Sequence, residues 1–303
     1  MSKIATRKSF GEALAQLGDK YQNVVALDAD LAKSTQSMLF AEKYPHRFFE
    51  MGIQEANMIG TAAGLSFCGK IPFICSFGAF LTGRYDQIRM SIGYANANVK
   101  LIGTHCGVGI GEDGHSQMGL EDLALMRAIP HMTVLQPGDD KECREMIEWG
   151  INHQGPVYYR LTRQGLNIYN MDKFSPGIFP QIKEGKKIAF LATGGLLEMS
   201  LEAAKQMDQS PAVFNMSTVK PLDPTFMNKL CDTYETLVVL EDHTVLGGSA
   251  SAIAEWSGRY AASPRKVIPY GVEDIFGESG TPADLYKKHK FTVEDIVKFG
   301  NKL

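Results

Sequence analysis

The sequence has no strong charge of either sign: 31 lysines and arginines stand against 34 aspartates and glutamates, a formal net charge of -3. Without a basic footprint it has no signature for nucleic acid or for an anionic membrane surface. No apolar run approaches the ~20 residues that a membrane-spanning helix needs. The opening Met1-Ser2-Lys3-Ile4-Ala5-Thr6-Arg7-Lys8-Ser9-Phe10 also lacks the apolar stretch of a leader, so the expectation is a cytoplasmic protein. Cysteine is scarce and odd in number: Cys68, Cys75, Cys106, Cys143 and Cys231 make no CxxC pair and show no metal-ligand spacing, which excludes a disulfide framework and gives no metal site. There is no P-loop, no GxSxG elbow and no HExxH. Internal repeats and low-complexity tracts are absent as well.

What is present is 303 residues, 44% hydrophobic and 21% charged, enough for two ordinary cores. Apolar positions Phe10, Ala13, Leu14 and Leu17 repeat at helical spacing and stop at Gly18. Short buried-strand patterns follow at Val24–Leu27, Arg47–Glu50, Ile71–Phe77, Val99–Thr104 and Val157–Leu161, with helical patterns between them. One helix is expected to run on from Phe77 through Phe80, Leu81, Arg84, Tyr85 and Ile88 to Met90. This alternation implies a parallel, doubly wound sheet with helices on both faces. From residue 167 to 186 the composition turns to Asn, Tyr, Asp, Pro and Gly, as in a linker. A second, smaller α/β unit is expected over 187–303, with strands at Ile188–Thr193, Ala212–Met216, Thr236–Glu241 and Lys266–Gly271. The fold class is therefore α/β, two doubly wound domains with mainly parallel sheets.

The residues that invite chemistry gather around one stretch. Gly52-Ile53-Gln54-Glu55-Ala56-Asn57-Met58 places Glu55 at the start of a helix whose Ala56, Gly60, Ala63 and Gly64 leave one face bare. Glu55 is either a catalytic acid or a capping-box residue folding back on the Gly52 amine. Gly109-Ile110-Gly111-Glu112-Asp113-Gly114 formally matches GxGxxG, but Glu112 and Asp113 would repel a pyrophosphate. With His105, His115 and Gln117 nearby, this loop suits hydroxyl-rich ligands, or is simply a solvated acidic turn. Arg7, Lys33, Arg84, Arg89, Arg160 and Arg163 are candidates for an anion, with Ser34 as a further donor. Phe77 and Phe80 are either core or a stacking wall for a flat heterocycle.

Taken together, Gly52 to Met58, Ser76-Phe77-Gly78-Ala79-Phe80 with Tyr85 to Met90, and His105 through Gly111-Glu112-Asp113-Gly114-His115-Ser116-Gln117-Met118 resemble the transketolase family. The resemblance extends over Ile4 to Lys8, Arg163-Gln164, Val219 to Asp223, Glu241-Asp242-His243 and Gly247-Gly248. It covers the carboxyl-terminal half of the usual chain: a pyrimidine-binding domain (1–166), a linker (167–186) and the transketolase C-terminal domain (187–303). The family's Gly-Asp-Gly metal motif is missing.

The resemblance implies one subunit of a split, thiamine diphosphate-dependent transketolase, with Mg2+ (or Ca2+) and the diphosphate held by a separately encoded N-terminal subunit in an α2β2 assembly. The reaction it implies is transfer of a two-carbon ketol unit from a ketose phosphate to an aldose phosphate. Glu55 resembles the glutamate that hydrogen-bonds N1' of the aminopyrimidine. Phe77, Phe80 and Asp30 resemble cofactor-binding residues. Arg7, Ser34, His105 and Arg163 resemble residues at the sugar-phosphate end, and Asp113 a ligand of a donor hydroxyl. His105 and Gln117 are expected to join Glu55 in catalysis, although Gln117 stands where some members have histidine and His115 where many have proline. In this family the small-residue face of the Glu55 helix packs on a partner around a dimer axis, and the C-terminal domain lies far from the chemistry, serving as scaffold. The rivals are the β subunit of a 2-oxoacid dehydrogenase E1 component, a deoxyxylulose-phosphate synthase-like enzyme, and a non-catalytic partner subunit.

Overall fold

The computed structural model describes residues 3–169 and 173–303. The larger sheet has seven strands, ordered Thr218–Lys220, Thr133–Leu135, Val157–Arg160, Lys100–Thr104, Ile71–Phe77, Val24–Asp28 and Phe48–Glu50. Its neighbours run parallel except Thr218–Lys220, which lies antiparallel to Thr133–Leu135. Successive side chains on a strand point to opposite faces. Val24, Ala26 and Phe73 accordingly pack with Phe10 and Met146 on one face, while Val25, Leu27 and Ile74 pack with Met58 and Ile59 on the other. Covered on both sides, these strands are apolar from end to end, which is why the sequence shows them as unbroken runs.

The helix Glu55–Phe67 buries Met58, Ile59, Ala62 and Ala63 against the sheet. Its other side is open: a Cβ added at Gly60 or Gly64 would meet nothing within 4 Å. The single helix expected after Phe77 does not form. Phe77 ends its strand, a helix covers Gly78–Thr82, and a second helical stretch begins at Tyr85 and widens into a π-helix over Ile88–Tyr94. Gly83 closes the first segment by donating to Ala79 O at 2.9 Å. The regular helical spacing of Phe80, Arg84, Ile88 and Met90 gives no sign of that break.

The second sheet has five strands, ordered Lys266–Val272, Thr236–Thr244, Ile188–Ala192, Ala212–Asn215 and Gln181–Lys183, the last antiparallel to its neighbour. Phe190 and Ala192 face one core, Ala189 and Leu191 the other. The strand Gln181–Lys183 lies in the stretch whose composition reads as linker, and residues 170–172 of that stretch lie outside the described ones. Backbone pairing is one of the ties between the halves. Thr218–Lys220, from the second half of the chain, completes the first sheet, and the Gln136 amide donates to Ser217 O at 2.8 Å.

Candidate active site

The carboxyl ends of five parallel strands, at Asp28, Glu50, Phe77, Thr104 and Arg160, meet along one edge of the first sheet. The strand order reverses between Val24–Asp28 and Ile71–Phe77, the place where open α/β sheets leave a crevice for ligands. The loops leaving these strands carry nearly all of the candidate residues.

Glu55 is buried, 5% exposed, and its Oε1 accepts from Ser76 Oγ at 3.3 Å. It is not a capping residue. The Gly52 amide donates instead to Glu50 Oε1 at 3.0 Å, and Glu50 also receives the Asp30 amide at 2.8 Å. A buried carboxylate with one hydroxyl partner is costly unless a further donor arrives. Next to Ser76 on the same strand end, Phe77 stacks on Phe80 with centroids 5.3 Å apart and planes at 15°. Phe77 also lies 4.0 Å from the His105 ring. Both aromatic alternatives hold in part: Phe77 is buried in the core, while Phe80 is half-buried beside it.

The tautomer of His105 follows from its partners. Arg7 Nη1 lies 3.1 Å from His105 Nε2, and a guanidinium can only donate, so Nε2 accepts and the ring proton sits on Nδ1. That proton is donated to Thr104 Oγ1 at 2.8 Å, and the threonine hydroxyl passes on to Ser76 O at 3.4 Å. Ser76 thus meets the Glu55 side through its hydroxyl and the His105 side through its carbonyl. Burial lowers the His105 pKa to about 3, with the charges of Arg7 and Arg163 adding to the effect. The ring is therefore neutral at any physiological pH. His105 has φ 57, a left-handed conformation in which a non-glycine residue is strained and which orients the ring off the strand.

Arg7 comes from the first turn of the helix Thr6–Leu17 and also donates to Ser34 O at 2.7 Å. Arg163 follows the strand Val157–Arg160, donates to Ile110 O at 2.8 Å and pairs with Asp113 at 3.6 Å. Burial lowers the Arg7 pKa, and Arg163 lowers it further, so the two guanidiniums feel one another's charge. Two like charges held near a crevice call for an anion between them.

Arg160 is not part of this pair. It is buried, bound through Nε to Asp122 at 2.9 Å and through Nη2 to Gly119 O and Asp242 O, and so is not free to meet a ligand. Lys33, Arg84 and Arg89 are exposed and join no part of the cluster. Asp30 has φ 65 and an exposed side chain, and Gln117 is half-buried in a short turn over His115–Gln117.

Sequence reasoning missed Asp28, Thr104, Ser76 and Asp242. Asp28 ends its strand fully buried and receives Thr35 Oγ1 at 2.7 Å, Ser37 Oγ at 2.8 Å and the Leu31 amide at 2.6 Å. It thereby shapes the loop that carries Asp30 and Ser34. Burial raises its pKa to about 6 against the pull of those donors. An Asp closing an apolar strand just before a Ser-Thr run is the signal that could have found it.

The chemistry available at this strand end is a buried acid held by Ser76 and a flat aromatic pair that begins at the next residue, Phe77, with two guanidiniums and a neutral imidazole further along. That set fits an aminopyrimidine: the wall matches a planar ring, and Glu55 needs a donor or a basic ring nitrogen to complete its partners.

Comparisons with known proteins give the family. The family model for the transketolase pyrimidine-binding domain matches residues 2–168, and that for the transketolase C-terminal domain matches residues 178–296. The chain belongs to the transketolase family. It is 39% identical over 300 residues to the putative transketolase C-terminal section of Methanocaldococcus jannaschii, covering 96% of this chain and 94% of that one. It is 36% identical to the 6-deoxy-6-sulfo-D-fructose transketolase subunit SqwH of Clostridium sp., covering 96% and 92%. Against human transketolase it is 35% identical over 94% of its own length but spans 46% of that chain. A solved structure described as a split-gene transketolase in an inactive β4 tetramer superposes with a TM-score of 0.89 at 41% identity, covering 99% of this chain and 98% of that one. The chain is thus the C-terminal subunit of a split transketolase, and the enzymes of its family are thiamine diphosphate-dependent transferases.

Proposed function

We propose that this subunit presents the aminopyrimidine half of a thiamine diphosphate site and the sugar-phosphate end of a ketol-transfer site, and that a separately encoded N-terminal subunit completes both. The carrying observation is that Glu55 is buried with its carboxylate on Ser76, at the strand end whose next residue, Phe77, stacks on Phe80. When bound, thiamine diphosphate supplies the nucleophilic carbon that carries the two-carbon unit. Phe80, backed by Phe77, holds the pyrimidine ring. Glu55 holds a proton at N1', with Ser76 fixing the carboxylate. Asp30 lies on the adjoining loop at the cofactor side. Arg7, Arg163 and Ser34 orient the sugar phosphate, His105 presents a neutral ring to its oxygens, and Asp113 and Gln117 meet hydroxyls from the opposite loop.

Mg2+ (or Ca2+) and the diphosphate belong to the partner subunit in this reading, which the match to only two of the family's domains supports. The assembly is α2β2. The open face of the Glu55 helix, with Gly60, Gly64 and the exposed Ile53, Phe67, Met90 and Tyr94 around it, meets a second copy. The site is cytoplasmic in this reading, and the boundaries 1–166, 167–186 and 187–303 mark its two functional units and their connection. The two-arginine site fits any sugar with a tetrahedral anionic end, pentose phosphate, branched sugar phosphate or sulfonated sugar. The presence of Glu55, Phe80, His105, Arg7 and Arg163 at one crevice speaks against a non-catalytic partner.

The test is reconstitution. The purified chain is expected to be inactive and to bind thiamine diphosphate poorly, and addition of the N-terminal subunit with Mg2+ should restore ketol transfer. Full activity of the single chain would overturn the split-site reading, and a panel of phosphorylated and sulfonated ketoses names the donor.

A further inference from the structure

The loop that carries Asp113 and Gln117 is held from outside its own domain. Asp242 and the segment 277–282, both from the second half of the chain, close over it. Asp242 Oδ1 accepts from the Val108 amide at 2.9 Å. At Gly107 a Cβ would strike the same carboxylate at 2.2 Å, at Gly114 it would strike Ser279 Oγ at 2.4 Å, and at Gly111 it would press on Pro282 at 3.0 Å. All three glycines have positive φ (85, 78 and 86), so backbone conformation and close approach both require glycine there.

At the far end of the loop stands His115. Its Nδ1 accepts from the Gly277 amide at 3.0 Å, and its ring meets the edge of Phe276 at 4.7 Å and 65°. Phe276 is 84% exposed, and a cleft of about 450 Å³ lined by His115, Leu120, Thr244, Leu246, Ile275 and Phe276 opens beside it. Beside that opening the His115 hydrogen bond adds a polar tie to the packing of Gly277 on Met118 and Leu120 and of Gly114 on Ser279.

We infer that His115 is a positioning residue, a latch that ties the Asp113–Gln117 loop to Gly277 of the C-terminal domain and so sets how these two side chains meet the substrate. Histidine does this with a side-chain acceptor, which proline at that position would not have. The C-terminal domain therefore contributes to substrate binding without touching the substrate. The inference rests on the reading of Asp113 and Gln117 as substrate residues, but its structural half stands apart from activity.

The experiment uses His115→Ala and His115→Asn in the full chain, alone and in the reconstituted complex. Asparagine places Oδ1 where the ring places Nδ1 and can accept the same amide. In the chain alone, hydrogen exchange at Gly277 and across 107–118 should quicken in His115→Ala and return towards wild type in His115→Asn, with Tm little changed. In the complex, KM for the sugar phosphates should rise roughly fivefold in His115→Ala, the worth of one neutral hydrogen bond, with kcat kept and KM recovered in His115→Asn. Exchange that is the same in all three proteins, or KM unmoved by His115→Ala, would overturn the latch. A fall in kcat and Tm together, without rescue by asparagine, would reduce His115 to a structural residue and also overturn it. If the wild-type complex transfers no ketol unit, the functional reading fails instead, and the exchange comparison still decides the latch.

Discussion

Glu55 illustrates how one side chain acquires a role from its neighbours. Its burial and its single hydroxyl partner, Ser76, leave it one donor short, and in the proposed site a pyrimidine N1' carrying a proton would complete it. In the reconstituted complex, Glu55→Gln should keep thiamine diphosphate binding within a few fold and lose about 10²–10⁴ in turnover, the range of one general acid or base. Donor cleavage near the wild-type rate would remove Glu55 from the chemistry. His105 makes a pH prediction. Its folded pKa, about 3, lies below the ordinary 6.5, so above pH 6.5 the ring is neutral in folded and unfolded chains alike and costs nothing. Below pH 6.5 the unfolded chain takes up a proton that the folded chain refuses, and stability falls until about pH 3. Asp28, raised to about 6 from 3.8, acts in the opposite sense, lowering stability as pH rises through that window. Arg7→Met removes one of the two charges bearing on His105 and should raise the imidazole pKa. An NMR titration of the ring nitrogens left unmoved by the substitution would show that Arg7 is not coupled to it.

At the scale of the element, the helix Glu55–Phe67 is amphipathic in an unusual sense, with apolar bulk on one side and almost nothing on the other. Interior glycine costs a helix about 1 kcal/mol against alanine, and nothing in the chain itself repays that cost at Gly60. Gly60→Ala should therefore stabilise the isolated chain by about that amount in urea unfolding. Gly60→Leu should leave the fold intact but prevent close approach of a second copy, which sedimentation of the complex reads directly. Normal assembly of the leucine variant would move the interface elsewhere. The stretch Phe77–Met90 teaches a complementary lesson. Helical spacing in the sequence is satisfied equally by one helix and by two segments with a π turn, and the chain takes the second, breaking at Gly83.

For the whole molecule, a buried polar cluster spans the two domains. Arg160, at the end of a strand of the first sheet, binds Asp122 and reaches the backbone of Asp242 in the second domain, while Tyr158 donates to Asp122 Oδ2 at 2.8 Å. Asp122→Ala would strand a buried guanidinium, and breaking such a pair costs about 3–5 kcal/mol. Urea unfolding should show a loss of that size, with the substrate loop loosened because Asp242 moves with it. A loss under about 1 kcal/mol, the size of an ordinary exposed pair, would mean that water takes the place of the carboxylate.

Apolar runs determined the central parallel strands of both sheets, because strands covered on two faces need no polar alternation. The Glu55 and His105–Gln117 motifs likewise pointed to the crevice at the strand ends, since each sits where a strand pattern ends. Other features depend on partners far apart in the chain. Thr218–Lys220 is three residues long with no pattern of its own, and joins the first sheet only because Thr133–Leu135 offers it an edge. The neutrality of His105 needs Arg7, Thr104 and burial together, and Arg160 is withdrawn from anion binding by Asp122, which lies 38 residues away in the chain. The hold of the second domain on the Gly107–Met118 loop, through Asp242 and Gly277, spans more than a hundred residues. Local pattern fixes what a segment buries, whereas hydrogen-bond partners and charge neighbours exist only once distant segments have been packed against one another.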